Sequence, residues 1–505
     1  MSIEVKSATV YGLEGIIVKV EVDINYGLPA FNIVGLGGAA VKESKERVRA
    51  AILNIDRDFP VNRITINLAP AHIKKEGSHY DLPIAVGILA VTGQINNEKL
   101  SEFLFVGELS LNGELSSVKG ALPMIIKARN EGIKKVIVPE ENKEECAFIK
   151  DIEIYPMKTL DEVIHFMNYE DVLPYKGKKL NLLDYSSELD FCDVIGNKAA
   201  KRAVEIAVAG KHNILLYGPP GAGKTMMAER IPSIMPPLTE EEAIEIAQIY
   251  SISGMFEREL ISKGRPVRSP HNTITSKALI GGGNIQPGEV SFAHGGVLFL
   301  DEISQFDKGT IEGLRQPLES GRIKITRVNG TAVFPANFML VGAFNPCPCG
   351  YYGSNIRRCT CKGNDVDRYL GRLSGPILDR IDMFIGVNSL SYDELSKKGE
   401  GESSSKIRKR VERVRAIQNL RFESSGIRCN GAMSVEMIKK HCSINKEAKA
   451  ILKYTFDKYE LTNRAYYKIL KLARTIADFE ELEVIEEQHI IEALQYRKYI
   501  KQNII

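Results

Sequence analysis

Residues 218–225 read GPPGAGKT, and this stretch decides the fold of the chain around it. An apolar run at 214–217 precedes it, and a run suited to a helix begins at Met226. When a strand is followed by a glycine-rich turn and a helix, the backbone N–H groups of the turn surround phosphate oxygens at the N-terminus of the helix. The pattern G-x-x-x-x-G-K-[ST], with both flanks in place, therefore predicts a nucleotide-binding phosphate loop.

Every residue of this loop is expected to line the nucleotide. The eight residues are Gly218, Pro219, Pro220, Gly221, Ala222, Gly223, Lys224 and Thr225. Lys224 is expected to reach the β- and γ-phosphates of ATP as a point charge, and Thr225 to hold Mg²⁺ through its hydroxyl. ATP and Mg²⁺ are therefore the predicted cofactors, and Lys224 is a predicted catalytic residue.

A second acidic motif follows at 295–303, where GGVLFLDEI places two carboxylates at the end of an apolar strand. Asp301 is expected to hold the Mg²⁺ shell through water, and Glu302 to orient and deprotonate the attacking water. The alternative is a solvated strand end without a catalytic role. Because the phosphate loop requires such a strand, the pair predicts ATP hydrolysis.

The composition is that of a globular protein, and the length suggests about three domains. Of 505 residues, 44% are hydrophobic and 26% are charged, as in globular domains. The net charge of +3 is too small to indicate a nucleic-acid partner without local basic patches. No apolar run approaches the ~18 residues of a membrane span, and the first residues lack the apolar core of a signal peptide. We therefore expect a cytoplasmic protein without a membrane partner.

Residues 1–168 are predicted to form a compact α+β domain, because short β-like runs alternate with helical patterns up to about residue 167. Residues 107–142 resemble the C-terminal proteolytic domain of Lon-type proteases, in which a strand pair leads into a helix and a strand ending in P-x-E-N. Residues 74–90 resemble the segment that carries the Lon nucleophile. The resemblance implies a Lon-protease-like, S5-like fold for this domain.

The same resemblance argues against proteolysis by this domain. Lon-type catalysis pairs a Ser nucleophile with a Lys base, but His79 and Leu122 stand at the two matching positions. Ser78 is adjacent, yet a shift of one residue on a helix rotates the side chain by about 100°. We therefore expect a protease-dead domain that serves a structural or partner-docking role.

Three further regions follow, so the predicted fold class is α/β multidomain. Polar residues without sustained periodicity predict a linker over 169–189. The phosphate loop and the acidic motif lie in a predicted P-loop NTPase α/β core over 190–392, which opens in the manner of AAA+ ATPases. Helical patterns predict a small all-α lid domain over 393–505.

Asn345 and Arg380 resemble two catalytic residues of AAA+ proteins. Asn345 ends an apolar strand at the position where these proteins carry the sensor that orients water against the γ-phosphate. Arg380 precedes another apolar strand and resembles the arginine finger of the Mg-chelatase and MCM branch, which enters the site of a neighbouring subunit. The alternative for Arg380 is a local pair with Asp379 or Asp382.

Arg464 begins a helical pattern over 461–479 and resembles the second sensor of the same branch. This residue acts either within its own subunit or across a subunit interface, and the resemblance leaves both open. A finger acting in trans implies head-to-tail contacts, which close into rings. We therefore expect the chain to assemble with itself as a ring hexamer.

From end to end the chain resembles the YifB/ComM family of Mg-chelatase-like AAA+ proteins, with a Lon-like domain, a chelatase-type ATPase module and a helical C-terminal domain. The resemblance implies an ATP-hydrolysing ring motor on DNA, of helicase or branch-migration type, in recombination or natural transformation. The alternative is a chelatase-like AAA+ ATPase that remodels a protein partner. The Lon-like domain and a basic hairpin favour the DNA motor.

That hairpin is predicted over 322–337, where two β-prone runs flank Asn329-Gly330, a dipeptide suited to a type I′ turn. Lys324 and Arg327 are expected to contact a nucleic-acid backbone, with an affinity that falls with salt and no sequence preference. Single-stranded or branched DNA is therefore the predicted partner. A solvated loop is the alternative.

A basic helix is predicted over 406–422, with one apolar stripe that packs and six cations that face outward. Such a charge run is usually a solvated surface, whereas after a motor domain it also suits a nucleic-acid path. Both roles stay open at the level of the sequence.

Four of the eight cysteines fall within fifteen residues. Cys347, Cys349, Cys359 and Cys361 have the spacing C-x-C-x₉-C-x-C. Four thiolates suit a closed tetrahedral Zn²⁺ site, and the alternative is a set of reduced free thiols. Zn²⁺ is therefore a third candidate cofactor.

Overall fold

Two β-sheets organise the structure, a computed structural model that describes residues 2–177, 189–283, 285–327, 330–353, 357–392 and 401–497. Part of the predicted linker over 169–189 lies outside the described residues, as does Asn329 of the predicted turn. Within the described ranges, no helix is both long and apolar enough to cross a membrane.

A seven-stranded mixed sheet forms the N-terminal region. The strands of this region are β1 (Ser2–Tyr11), β2 (Glu14–Asn25), β3 (Ala30–Val34), β4 (Arg63–Ala69), β5 (Phe103–Phe105), β6 (Glu108–Leu109), β7 (Leu115–Ser116), β8 (Lys135–Pro139) and β9 (Glu153–Met157). The sheet order is β3-β4-β2-β1-β5-β8-β9, and β6 pairs with β7 separately. Alternate residues of β2, namely Val18, Val20 and Val22, are fully buried, as expected for a strand with one covered face.

Five helices accompany this sheet. They are α1 (Ala39–Asn54), α2 (Asp81–Val91), α3 (Ala121–Asn130), α4 (Lys143–Cys146) and α5 (Leu160–Tyr169). The sequence of α2, DLPIAVGILAV, is apolar on nearly every side, so this helix is buried along almost its whole length. It packs on β1 and β2, and the core of the region lies between helix and sheet.

A five-stranded parallel sheet forms the second region. Its strands and hairpins are β10 (Ile214–Tyr217), β11 (Val267–Arg268), β12 (Gly281–Gly282), β13 (Gln286–Pro287), β14 (Val297–Leu300), β15 (Arg322–Arg327), β16 (Gly330–Pro335), β17 (Met339–Phe344) and β18 (Met383–Gly386). The sheet order is β11-β14-β17-β10-β18. The strands β14 and β17 are buried at every residue, as is usual for a parallel sheet covered on both faces.

Helices surround this sheet, and the predicted hairpin is present beside it. The helices are α6 (Lys198–Gly210), α7 (Lys224–Ile234), α8 (Glu240–Ser253), α9 (Arg258–Ser262), α10 (Ser276–Ile280), α11 (Glu289–Phe292), α12 (Lys308–Glu312), α13 (Arg315–Ser320), α14 (Gly363–Leu370) and α15 (Gly375–Leu378). The hairpin strands β15 and β16 pair antiparallel from Arg322 with Pro335 to Arg327 with Gly330.

Five α-helices form the described part of the C-terminal region, residues 401–497. They are α16 (Ser404–Phe422), α17 (Val435–His441), α18 (Lys446–Lys458), α19 (Asn463–Phe479) and α20 (Glu487–Gln495). The side chains of Ser434, Asn445 and Thr462 cap the starts of α17, α18 and α19. Helix α16 packs against α6 and α7, so this region is joined to the helix that follows the phosphate loop.

The N-terminal and second regions share a hydrophobic core. Leu122 and Ile125 of α3 lie in one buried cluster with Ile246 and Ile249 of α8. Burial of such apolar surface is the main favourable term in association. The first region is therefore packed directly against the second one. The chain as a whole is mixed α/β with several domains, as predicted.

Candidate nucleotide-hydrolysis site

Three strands of the parallel sheet end at one edge, where they present the predicted catalytic groups. Strand β10 leads into Gly218, β14 into Asp301 and β17 into Asn345. The ends of β10 and β17 are level, because Tyr217 lies beside Phe344 in their parallel pairing, and β14 ends two residues earlier, with Leu300 beside Gly342. The carboxyl ends of adjacent parallel strands form the crevice in which such sheets bind ligands.

The phosphate loop has a backbone that only its glycines allow. Gly221 and Gly223 have φ angles of +75° and +88°, which are left-handed conformations that other residues rarely adopt. A Cβ on Gly218 would lie 2.1 Å from the carbonyl oxygen of Val387. Helix α7 begins at Lys224, within the loop, so its first N–H groups are available to an anion bound there.

Lys224 is held beside the loop by three oxygen acceptors. Its Nζ donates to the carbonyl of Gly218 at 2.8 Å and to that of Pro219 at 3.0 Å. It also donates to Asn345 Oδ1 at 3.1 Å. The structure therefore brings the predicted phosphate-binding cation and the predicted sensor into direct contact.

The two carboxylates after β14 lie beside the same loop. Thr225 Oγ1 donates to Asp301 Oδ2 at 2.9 Å, and the N–H of Glu302 donates to Asp301 Oδ1 at 2.9 Å. Burial lowers the pKa of Lys224, and the charges of Asp301 and Glu302 oppose that effect. A hydroxyl and carboxylates beside a buried ammonium form a donor set that fits a triphosphate with Mg²⁺.

The two predicted arginines share one carboxylate that the sequence analysis did not single out. Arg380 Nη2 donates to Glu319 Oε2 at 2.8 Å, and Arg464 Nη2 donates to Glu319 Oε1 at 3.3 Å. The hydrogen bond from Arg380 lowers the pKa of Glu319. Arg380 therefore has a distant partner in place of the neighbouring Asp379 or Asp382.

Asp382 instead joins the sheet to the C-terminal helices. It lies 2.8 Å from Lys468 Nζ and accepts from the N–H of Asn213 at 2.9 Å. Burial alone would raise the pKa of Asp382, but the charges of Lys468 and His212 outweigh it and hold the pKa at about 2. Burial lowers the pKa of Lys468 to about 8. This pair could not be predicted from the sequence, because no local pattern relates β18 to α19.

The four clustered cysteines converge after the end of β17. Their Sγ atoms all lie within 4.8 Å of one another. The Sγ–Sγ distance is 3.3 Å for Cys347 and Cys349, 3.7 Å for Cys347 and Cys359, and 3.5 Å for Cys349 and Cys359. The N–H of Cys349 donates to Cys361 Sγ at 3.4 Å. A tetrahedral zinc ion with Zn–S bonds of about 2.3 Å has sulfurs about 3.8 Å apart, so these thiols fit the ion.

The hairpin of β15 and β16 lies against the N-terminal region. The N–H of Thr331 donates to Tyr11 Oη at 2.9 Å, and a Cβ on Gly330 would lie 2.0 Å from the same oxygen. Lys324 and Arg327 are both exposed, and Arg327 lines a cavity of about 430 Å³ between the two regions. Their contact with DNA stays a prediction.

The same cavity contains the residues compared above with the Lon nucleophile. Ser78 and His79 line it, and Ser78 Oγ donates to the carboxylate of Glu108. Leu122, at the position of the Lon lysine, is fully buried. Burial lowers the pKa of His79 to about 4, so its imidazole is neutral at pH 7. The absence of protease activity stays a prediction.

The basic helix α16 differs from the prediction in the direction of its cations. Arg408, Arg410 and Arg415 donate at 2.6 to 2.9 Å to oxygen acceptors on α6 and α7. Long guanidinium side chains cross the edge of the packed stripe and reach the neighbouring helices. The prediction that all six cations face outward is therefore wrong.

Three family models match the chain. Residues 190–395 match magnesium chelatase, subunit ChlI. Residues 20–142 match subunit ChlI of Mg-chelatase, and residues 401–497 match the C-terminal part of that subunit. The first match contains the whole candidate site except Arg464, which lies in the third.

Relatives cover almost the whole chain. The competence protein ComM of Haemophilus influenzae is 42% identical over 499 residues, which are 97% of this chain and 96% of the relative. The uncharacterised protein YifB of Escherichia coli is 41% identical over 482 residues, 95% of this chain and 94% of the relative. A Lon protease of Xanthomonas oryzae is 25% identical over 209 residues, 39% of this chain and 22% of that protease. The chain therefore belongs to the YifB/ComM family of magnesium-chelatase-like AAA+ proteins.

Proposed function

We propose that the chain is an ATP-hydrolysing ring motor that acts on DNA. The observation that carries the proposal is the arrangement of Lys224 against the phosphate loop and Asn345, with Thr225 paired to Asp301. Groups that are already in place need no reorganisation when charge develops on the phosphates. The name of the Haemophilus influenzae relative refers to competence, which supports a role in recombination or natural transformation.

Each residue of the site has a role that follows from its position. Lys224 exchanges its carbonyl partners for β- and γ-phosphate oxygens. Thr225 and Asp301 hold Mg²⁺, which neutralises charge on the phosphates when bound. Glu302 accepts the proton of the attacking water, and Asn345 orients that water.

Arg380 and Arg464 act on the nucleotide of an adjacent subunit. Heterologous contacts of this kind close into rings, and a hexamer is the proposed assembly. The two guanidiniums stabilise charge on the transferred phosphoryl group, as an arginine finger does.

Lys324 and Arg327 contact the backbone of single-stranded or branched DNA in this proposal. They are exposed cations on one hairpin, which suits contacts that follow a backbone without reading its sequence. The second candidate function is a chelatase-like ATPase that remodels a protein partner. The match of residues 190–395 to magnesium chelatase and the contact of the hairpin with Tyr11 favour that candidate.

The test is steady-state ATP hydrolysis without DNA, with single-stranded DNA and with branched DNA. We expect several-fold stimulation by DNA, no hydrolysis in Lys224→Ala, and loss of stimulation in Lys324→Ala/Arg327→Ala. A matched control, Lys406→Ala/Lys409→Ala, removes two exposed cations from α16 and is expected to keep the stimulation. A steady-state rate of ATP hydrolysis that neither form of DNA changes would refute the DNA motor and support the protein-remodelling candidate.

The domain limits proposed for this motor are 1–168, 190–392 and 393–505, with a linker over 169–189. The first domain is proposed to be Lon-like and without protease activity, which its hydrogen bond from Ser78 to Glu108 supports. Cleavage of casein by the purified protein, lost in Ser78→Ala, would contradict this assignment.

Zn²⁺ is the proposed ion of the four-cysteine cluster. Cys347 follows Asn345 by two residues, and a Cβ on Gly350 would lie 2.6 Å from Cδ of Pro220 in the phosphate loop. The cluster therefore supports both the end of the sensor strand and the loop. Elemental analysis is expected to find about one zinc ion per chain, less in Cys359→Ser, and an unchanged amount in the control Cys192→Ser. A reduced protein that lacks zinc and still hydrolyses ATP contradicts the assignment.

A further inference from the structure

Two arginines and one carboxylate form a cluster on the surface of the single chain. Glu319, near the end of α13, accepts from Arg380 and Arg464. The side chains of Glu319 and Arg464 are each 58% exposed, and that of Arg380 is 10% exposed. Arg380 is also anchored through Nη1, which donates to the carbonyl of Pro376 at 2.7 Å.

This cluster lies at the amino end of the parallel sheet, away from the phosphate loop of its own chain. Strands β10 and β18 run parallel. The carbonyl of Arg380 accepts from Asn213 Nδ2 at 3.3 Å, and Asn213 precedes β10, whereas Gly218 follows it. The four residues of β10 span about 13 Å. The cluster is therefore separated from its own nucleotide by the length of the sheet.

The same carboxylate is connected to the hairpin of β15 and β16. Glu319 lies three residues before β15, and Gly321 between them has φ of +64°. The N–H of Gly321 donates to the carbonyl of Pro317 at 2.8 Å, and the carbonyl of Gly321 accepts from the N–H of Ala336 at 2.8 Å. These bonds tie the end of α13 to both strands at the base of the hairpin.

We infer that Glu319 is a positioning residue that holds Arg380 and Arg464 together for the adjacent subunit and transmits their displacement to the hairpin. The inference rests on the proposed ring motor. One carboxylate between two guanidiniums leaves a charge of +1, so the triphosphate of the adjacent subunit competes with Glu319 for their N–H groups. Glu319 and Arg464 are more than half exposed, so their pairing is weak enough to exchange.

The first test mixes two inactive variants. Lys224→Ala lacks a working phosphate loop and keeps the arginines, whereas Arg380→Ala keeps the loop and lacks the finger. In a mixed ring, hydrolysis is restored at each junction where the intact phosphate loop of one chain meets the intact Arg380 of its neighbour. With Lys224→Ala/Glu319→Gln as the arginine donor, restored hydrolysis is expected to fall about 10-fold, because misplacing a catalytic group by about 1 Å costs up to about 100-fold.

A matched donor, Lys224→Ala/Glu481→Gln, loses a carboxylate that pairs with Arg413 at 3.2 Å and whose side chain is 58% exposed, as that of Glu319 is. It is expected to restore hydrolysis in full. Equal restoration by the Glu319→Gln and Glu481→Gln donors overturns the inference. A control mixture of Lys224→Ala and Arg380→Ala that stays inactive overturns it as well, because action in trans is then absent.

The second test follows the hairpin. Hydrogen exchange of residues 322–335 is expected to change when a non-hydrolysable ATP analogue is added to the wild-type protein, and to stay constant in Glu319→Gln. The same response in both proteins overturns the link to the hairpin. Neither test contains DNA. A rate of ATP hydrolysis that DNA does not change would refute the proposed motor on DNA, and it would leave the role of Glu319 unaffected.

Discussion

Replacing Asp382 by Asn is expected to loosen the C-terminal helices from the parallel sheet. Asp382 and Lys468 lie 2.8 Å apart, with side chains that are only 14% and 16% exposed. Asn keeps an oxygen for the N–H of Asn213, but it leaves the Lys468 ammonium buried without a counterion. Lys468 lies on α19, the helix that begins with Asn463 and Arg464, so the effect should extend to the arginine pair.

The pKa values of the two groups give the magnitude. The pKa of Asp382 is lowered from 3.8 to about 2, which corresponds to about 2 kcal/mol of stability. This stability is present above pH 3.8 and is lost as the pH falls towards 2, because the folded-state pKa is the lower one. The pKa of Lys468 is lowered from 10.5 to about 8, a cost of about 3 kcal/mol that is relieved as the pH rises above 8. A buried pair of this kind contributes little net stability, because desolvation offsets the mutual attraction, whereas loss of one partner leaves a buried unpaired charge and costs about 3 kcal/mol.

Native-state hydrogen exchange of the α19 amides is the appropriate assay, because a chain of several domains does not unfold in one step. A loss of about 3 kcal/mol predicts exchange about 100-fold faster in Asp382→Asn than in the wild-type protein at pH 7. The variant Asp382→Asn/Lys468→Met removes both charges and is expected to recover most of the protection. Wild-type exchange in Asp382→Asn, or faster exchange in the double variant than in the single one, would refute the reasoning.

Three further predictions concern the general base, the phosphate loop and the hairpin. Glu302→Gln is expected to lower kcat about 100-fold or more, because general bases contribute at least that much. Titration with a fluorescent ATP analogue is expected to find an affinity near that of the wild-type protein. An unchanged kcat would contradict the role of Glu302 as the base. Gly218→Ala places a Cβ 2.1 Å from a backbone carbonyl oxygen, so the same titration is expected to show a loss of ATP binding, and wild-type affinity would exclude the close approach. Gly330→Ala places a Cβ 2.0 Å from Tyr11 Oη at a φ of +136° that is strained for Ala, so hydrogen exchange at 330–335 is expected to increase. Measured against Tyr11→Ala, the variant Tyr11→Ala/Gly330→Ala has the strain without the clash, so its increase is expected to be smaller, and an equal increase would contradict the contact with Tyr11.

The nucleotide site could be predicted because each of its parts is encoded in a short segment. Asp301, Glu302 and Asn345 follow a buried apolar strand by one or two residues, and Lys224 follows one after the short glycine-rich loop. Parallel strands place their carboxyl ends at one edge of a sheet, so the topology brings these side chains together without any long-range pattern. The convergence of the four cysteines depends likewise on a segment of fifteen residues.

Contacts between distant segments could not be predicted in this way. Glu319 lies 61 residues from Arg380 and 145 residues from Arg464, and only the packed fold places α13 beside both. The apolar stripe of α16 indicated which face packs, but the acceptors reached by its arginines belong to α6 and α7. The contact between Thr331 and Tyr11 depends on how two regions pack together, which neither segment encodes alone.

The separation of the phosphate loop from the arginine pair by the length of β10 has a genetic consequence. In the proposed head-to-tail ring, each junction joins the phosphate loop of one chain to the arginine pair of its neighbour, so a chain defective in both features inactivates two junctions. When such chains make up half of the copies in the cell, neither chain is defective in only roughly a quarter of all junctions. An allele of this kind is expected to be dominant over the wild-type gene, whereas an allele whose product cannot enter the ring is recessive.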